Sequence, residues 1–428
     1  MKRTMVGKTR FHATDVAFLL TVSAFIACTE QGPTDVDPGQ NALAAQAAGT
    51  TTITTLAGLR AMSPTGHYVL GKDIDASSTS SSPFTPIGTF TGSFDGGGFA
   101  INNLHIVGTK YTGLFSQTDG ATLNRIHLNN VSVSGSSIVG AIVGAMWNTT
   151  HLTNSYVTGT VTGTSTAADV GMAVGFAGGS HGVIQRCYAT GTVNGSGWSV
   201  GGFVGKVGSD GPITLNDDPR IGIYEIFTNV NVNPATPAGT EVDAGGLVGT
   251  LIGADIRSIN VVGPVRGQYA AGGIIGAAYN DGASASTIRF MIYRGNVIDM
   301  GAGTNRAGVI GFQEGTFERC DQAFWSSNAD PGTPAPSVDG GCQMGMTDAV
   351  LEAPHPNPNR LLWPYVVGQV VTQDMINTIG FDQCKLASGS DTDWGFGGCS
   401  YTPLEWDLNS STQHITLHNI PNPTVQPR

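Results

Sequence analysis

Charge is scarce in this chain. Asp, Glu, Lys and Arg make up only 12% of its 428 residues, roughly half the usual share. What charge there is leans acidic, 31 Asp and Glu against 20 Lys and Arg, for a formal net charge of −11. That balance leaves no basic surface for a phosphate backbone, which argues against nucleic acid as a partner. Long apolar runs are missing too. Hydrophobic residues are 40% of the chain but come in short stretches, below the ~20 residues a membrane-crossing helix needs. None of the nine His stands in His-Glu-x-x-His, and no complete Walker loop occurs. The sequence therefore shows neither the zinc-peptidase motif nor the P-loop.

What is abundant is glycine, 61 residues, about twice the usual share. With Val, Ile and Thr it indicates many short strands joined by tight turns.

Lys2, Arg3, Lys8 and Arg10 precede the apolar stretch 16–27, the layout of an export signal over residues 1–27. Phe25-Ile-Ala-Cys28 resembles the bacterial lipobox, with Phe where Leu is usual. The resemblance implies that Cys28 is diacylated and becomes the mature N-terminus. Thr29, in place of Asp, implies sorting to the outer membrane. Plain secretion, with cleavage near Ala27, is the alternative. Four cations and one anion leave with the leader, so the remainder carries −14. Residues 28–50 have no hydrophobic period and read as a flexible tether.

From residue 51 to 320 the chain repeats. Two glycines bracket one variable residue and an apolar pair at Gly140–Gly144, Gly171–Gly175, Gly201–Gly205, Gly245–Gly249 and Gly272–Gly276. A degenerate copy closes at Gly311, and an earlier one closes with Ser116. The closing residues are 28, 31, 30, 44, 27 and 35 apart. A second segment follows the bracket: Leu152–Val161, Ile184–Val193, Ile256–Val265 and Ile288–Val297 align with Gly159, Gly191, Gly263 and Gly295 in one place. A strand-rich repeat near this length cannot bury its apolar side alone, whereas stacked copies share a core. The expected fold is all-β, a right-handed parallel β-helix of about nine rungs spaced ~4.8 Å apart. A short helical N-terminal cap is expected near Leu56, Leu59 and Met62, and an irregular C-terminal cap over 321–428.

The Gly245–Gly249 bracket resembles the motif of the GLUG-repeat family. That family's opening segment is matched by Tyr68–Asp75, Pro86-Ile-Gly88, Phe94-Asp-Gly96 and Ile101–Leu104, and its closing segment by Phe324-Trp325 and Tyr401–Trp406. The resemblance covers roughly 52–345 plus this tail. It implies a surface-exposed β-helix of the adhesin type and brings no catalytic residue.

Several side chains are candidates for more than structure. Asp217, Asp218 and Arg220 lie in the one enlarged repeat and read as a solvated loop or a binding loop. Asp73 and Asp75 read as turn residues, with calcium binding the alternative. Arg125, Arg186 and Arg319 share one repeat slot, either solvated or a ladder for an anionic polymer. Cys187 and Cys320 are assigned the slot of Ser155 and Ile259, as small interior residues. Cys384 with Cys399 is the preferred disulfide, Cys320 with Cys342 another, since export permits both. Trp325, Trp363, Trp394 and Trp406 gather past residue 320, as end packing or as a sugar platform. No cofactor or metal set is indicated.

The reading that follows is a lipid-anchored protein of the bacterial outer membrane or cell surface. It acts as a non-enzymatic binding or adhesion module toward extracellular polysaccharide or a surface protein of a host or neighbouring cell. A carbohydrate-active enzyme built on the same helix and a structural spacer are the alternatives.

Overall fold

The computed structural model describes residues 49–166, 168–179, 181–208, 221–234, 241–267, 269–280, 286–300, 305–315, 317, 319–326, 343–346, 406–409 and 414–417. The signal at 1–27, Cys28, nearly all of the tether, Asp217, Asp218, Arg220, Cys342, Cys384 and Cys399 lie outside them, as does most of 321–428.

The chain is a parallel β-solenoid with three faces. Face one is an 18-stranded sheet, face two a seven-stranded sheet and face three an eight-stranded sheet. Face two has one strand per turn, from Tyr111–Thr112 to Asn305–Ala307, and these define turns one to seven. Face one extends further at both ends, to Thr50–Ile53 and Gln343–Met346. The count of about nine rungs included end layers that lack a face-two strand among the described residues. Every strand pairing in the three faces is parallel; among the described residues the one antiparallel pair is the hairpin Trp406–Asn409 with His414–Leu417.

Alternation along each strand decides what points inward. Val133, Val161, Val193, Val232, Val265 and Val297 stack in register on face one, and each is at most 2% exposed. The aliphatic pairs inside the brackets, Ile142 and Val143 through Val309 and Ile310, are at most 3% exposed. Each fully buried side chain of this size contributes about 1.5–3 kcal/mol as an upper bound. A single layer has no second apolar surface to set against its own, so that gain is realised only on stacking.

The brackets need glycine for a spatial reason. A Cβ on Gly249 would lie 2.5 Å from Val200 N and 2.9 Å from Ser199 C, backbone of the preceding turn. Face three therefore closes directly onto face two of the turn before it. Gly159 and Gly191, in register on face one, need glycine for a different reason: their φ values are 134° and 129°, a region that side chains avoid.

Between the two halves of face one the chain turns a corner on a single left-handed residue. Arg125, Asn154, Arg186, Glu225 and Ser258 hold this place with φ of 50–57°. This is the slot assigned to the arginine ladder, and it corrects two placements. Arg319 pairs with Thr287 and Cys320 with Ile288, whereas the column of Cys187 runs through Ile226, Ile259 and Met291 to Ala323. The Arg-Cys dipeptide recurs three residues out of register, because inward alternation fixes the pairing and dipeptide identity does not.

Near the start of face one, helix α1 (Leu56–Arg60) is capped by Thr55, whose Oγ1 accepts from Gly58 N at 3.0 Å. Leu59 and Met62 join the core.

Candidate functional site

Arg125, Asp73, Asp75 and Cys187 are bound into the scaffold. Arg125 donates to both carboxylate oxygens of Asp95, at 2.8 and 2.6 Å, and Asp95 is 2% exposed. This residue is a clamp between adjacent turns. Asp75 accepts from the backbone and hydroxyl of Ser77 at 3.0 and 2.9 Å, and those bonds hold its carboxyl below the usual range. Asp73 accepts from Ala100 N at 2.9 Å. Both behave as turn residues. Among the described residues no group of three or more His, Cys, Asp or Glu is set to hold a metal ion.

Cys187 is fully buried, and burial pushes its thiol up to about 12. Its Sγ lies 3.2 Å from Gln185 O. The thiolate is the reactive form, so a thiol reagent at pH 8 is expected to leave Cys187 unmodified in the folded chain and to modify it in urea. Peptide mapping of the alkylated protein checks this, and equal labelling in both states would contradict it.

The polar groups that do converge lie on the outside, where faces two and three meet. The bracket folds face three back onto face two of the preceding turn, so their outward columns run side by side. On face two the column holds Asp169, Ser199 and Asp243; on face three it holds Phe176, Lys206 and Thr250. Ser199 Oγ is 2.6 Å from Thr250 Oγ1, and Thr250 donates to Asp243 Oδ2 at 2.8 Å. These three are 2–8% exposed. Burial pushes the Asp243 carboxyl up to about 7; hydrogen bonds from Thr250 and Tyr279 pull it down, and Glu241 and Asp169 push it further up. Burial and the nearby Asp243 also raise the Tyr279 hydroxyl.

Aromatic side chains continue these outer columns along the solenoid. Trp147 meets Phe176 with ring centroids 4.9 Å apart, and the Lys206 ammonium lies 5.9 Å from the Phe176 centroid. Further along, Tyr279 and Tyr269 flank Phe312 at 5.7 and 6.2 Å. Trp198, next to Ser199, is 69% exposed. Hydroxyls, carboxyls and aromatic rings thus share neighbouring outward columns, a chemistry that suits a hydroxyl-rich ligand able both to stack and to hydrogen-bond. The carboxylates disfavour polyanions.

Gly197-Trp-Ser199-Val-Gly201 has the spacing of a nucleophile elbow. Ser199 sits inside a stacked strand, bound to Thr250, and not at the strand-to-helix turn that exposes such a nucleophile. A second such spacing, Gly178–Gly182, has its Ser outside the described residues.

None of Trp198, Ser199, Asp243, Thr250 or Tyr279 was singled out from the sequence. The signal lies on the flanks of the bracket: two residues before the opening glycine (Asp169, Ser199, Asp243) and one after the closing glycine (Phe176, Lys206, Thr250).

The raised Asp243 has a consequence for stability. Folding carries its carboxyl from 3.8 to about 7, so between those values the folded state holds a proton that the unfolded chain releases. Its contribution is full below about pH 4 and is lost as pH rises through about 7. Asp243→Asn is expected to flatten this slope and to stabilise the protein at pH 8 by on the order of 2 kcal/mol. Thermal melts of both proteins from pH 4 to 8 check it; parallel curves would contradict it.

Residues 54–159 match the family model for the N-terminal region of M26 IgA1-specific metallo-endopeptidase. Halomucin from Haloquadratum walsbyi is 39% identical over 85 residues, 18% of this chain and 1% of that protein. The chain thus spans a very small part of that curated relative. A crystal structure of a candidate immunoglobulin A1 protease from Bacteroides ovatus aligns over 70% of this chain and 84% of that one, with 18% identity and a TM-score of 0.42.

Proposed function

We propose that this chain is a cell-surface binding module, held on the bacterial outer membrane by lipid on Cys28, whose outer cleft engages a neutral polysaccharide. One observation carries the reading: the outer junction of faces two and three gathers a buried Ser199–Thr250–Asp243 hydrogen-bond chain with aromatic pairs further along the same columns, and the exposed Trp198 stands at the corner just before Ser199. A rigid solenoid keeps such groups at fixed spacing, so a repeating ligand pays little ordering cost on the protein side. The first turns match the N-terminal region of a peptidase family, while His-Glu-x-x-His is absent from these 428 residues. Together these favour recognition over cleavage for this chain.

Acyl chains supply ~0.8 kcal/mol per buried CH₂, enough for two or three to hold the body at the membrane. Labelled palmitate is expected on the wild type and not on Cys28→Ala.

The ligand assay uses arrays of neutral and acidic polysaccharides. Wild type is expected to bind a subset of the neutral ones, Trp198→Ala to lose most of that binding at unchanged melting temperature, and cells lacking the protein to adhere less to surfaces coated with the same polymer. Equal binding by Trp198→Ala, or no array binding at all, would sink the cleft reading.

A second reading, a glycoside-cleaving enzyme, draws on the near-neutral Asp243 beside other carboxylates, a general-acid pattern. Shortening of a bound polysaccharide, abolished by Asp243→Asn, would favour it.

A further inference from the structure

Face one changes character along the solenoid. In turns two and three most of its outward side chains meet solvent: Thr122 and His151 are exposed, and Thr153, His127 and Tyr156 half-buried, while Asn124 is 3% exposed. In turns five to seven the same outward columns are buried. Tyr224 and Arg257 are each 6% exposed, Arg289 4%, and Phe227 and Asn260 0%. Their inward neighbours are the stacked Ile223, Ile226, Ile256 and Ile259, so these side chains point away from the core. Outward arginines are not left dry by an open sheet surface. Something lies over this face.

Among the described residues, the hairpin strand His414–Leu417 packs against both Ile221–Pro234 and Ala254–Val261. The surface beneath is built as a polar seat. Arg257 lies over the Tyr224 ring at 4.2 Å, and the Tyr224 hydroxyl donates to Asp255 at 2.9 Å.

We infer that face one of turns five and six is an intramolecular docking surface, and that its occupant is the chain's own C-terminal hairpin, Trp406–Asn409 and His414–Leu417. The hairpin acts as a strap. More than 50 residues separate it from the last face-one strand, Gln343–Met346, ample length to reach back across three turns at up to ~3.3 Å per residue. The strap covers an arginine- and aromatic-bearing surface on a face that does not include the outer cleft.

Hydroxyl-radical footprinting of the full chain tests this, because it reads side-chain access directly. In the wild type, Tyr224 and Phe227 are expected to oxidise far more slowly than Tyr156. Thr416→Pro removes a strand donor at the Asp407–Thr416 pair, and is expected to raise oxidation of Tyr224 and Phe227 several-fold while Phe94 stays protected. If Phe94 also loses protection, the strap is instead released from the wild-type chain by a protease site placed at residues 354–358, with the same readings expected after the C-terminal piece is removed. Oxidation of Tyr224 and Phe227 at the rate of Tyr156 in the intact chain, or no change on release, would overturn the inference. Protection that appears only at concentrations where the chain is dimeric would overturn it too, by making the occupant a second copy.

Discussion

Gly245→Ala is expected to cost about 3 kcal/mol or more, placing it among the severe single substitutions. The added Cβ would stand 2.0 Å from Val248 O, 2.6 Å from Gly276 N and 2.8 Å from Ile274 O. All three are backbone atoms, held by the ladders of this turn and the next, so no side chain can swing aside. The strain is purely steric, since Gly245 is not among the positive-φ glycines. Because a solenoid is stabilised mainly by nearest-neighbour stacking, the damage should uncouple turns five and six before it melts the rest. Denaturation is expected to split into two steps, with amides of Ile221–Pro234 and Ala254–Val261 exchanging early. Gly88→Ala is the control. Nothing lies within 4 Å of its added Cβ, so its effect should stay within about 0.5 kcal/mol. Equal effects at the two positions would refute the claim that the brackets are set by close approach of backbones.

The second large effect concerns Arg125. Arg125→Ala is expected to destabilise the first turns by about 2–3 kcal/mol, because it strands a buried carboxylate. The Asp95 side chain is 3% accessible and that of Arg125 32%, so the two partners are not equivalent. Without Arg125, Asp95 keeps only the Gly97 N–H at 2.8 Å and a long contact from Asn124 at 3.5 Å. Asp95→Asn leaves a guanidinium that reaches water, and is expected to cost about 1 kcal/mol. Urea midpoints at constant slope measure both. A larger loss for Asp95→Asn than for Arg125→Ala would contradict the claim that the stranded buried carboxylate is the costlier partner.

How far the fold could be read in advance follows from which residues obey a period. The bracketed pairs, such as Leu247 and Val248, had to face inward in any stacked arrangement, and the valines of the second segment lie in one column as their spacing implied. Register failed at Arg319 and Cys320, where a repeated dipeptide outweighed the alternation that ends the column on Ala323. The outer cleft escaped notice because Asp169, Ser199 and Asp243 are free of any core constraint. Their meeting with Thr250 depends on the angle at which the bracket folds one face onto the previous turn. Arg257 and Arg289 drew no reading from the sequence: alternation alone puts them on the outer side of their strands, yet both are buried.

The central claim is that successive repeats stack in parallel with the register given by Thr160 and Thr192. Outward positions in register on neighbouring strands fall at ~4.8 Å, within the Cα range a disulfide can span. A chain whose native cysteines are replaced by serine, carrying Thr160→Cys with Thr192→Cys, is expected to cross-link fully under mild oxidation. Thr160→Cys with Val193→Cys should stay reduced, since Val193 faces the core. Cross-linking of the second pair as readily as the first, or of neither, would contradict the stacked solenoid.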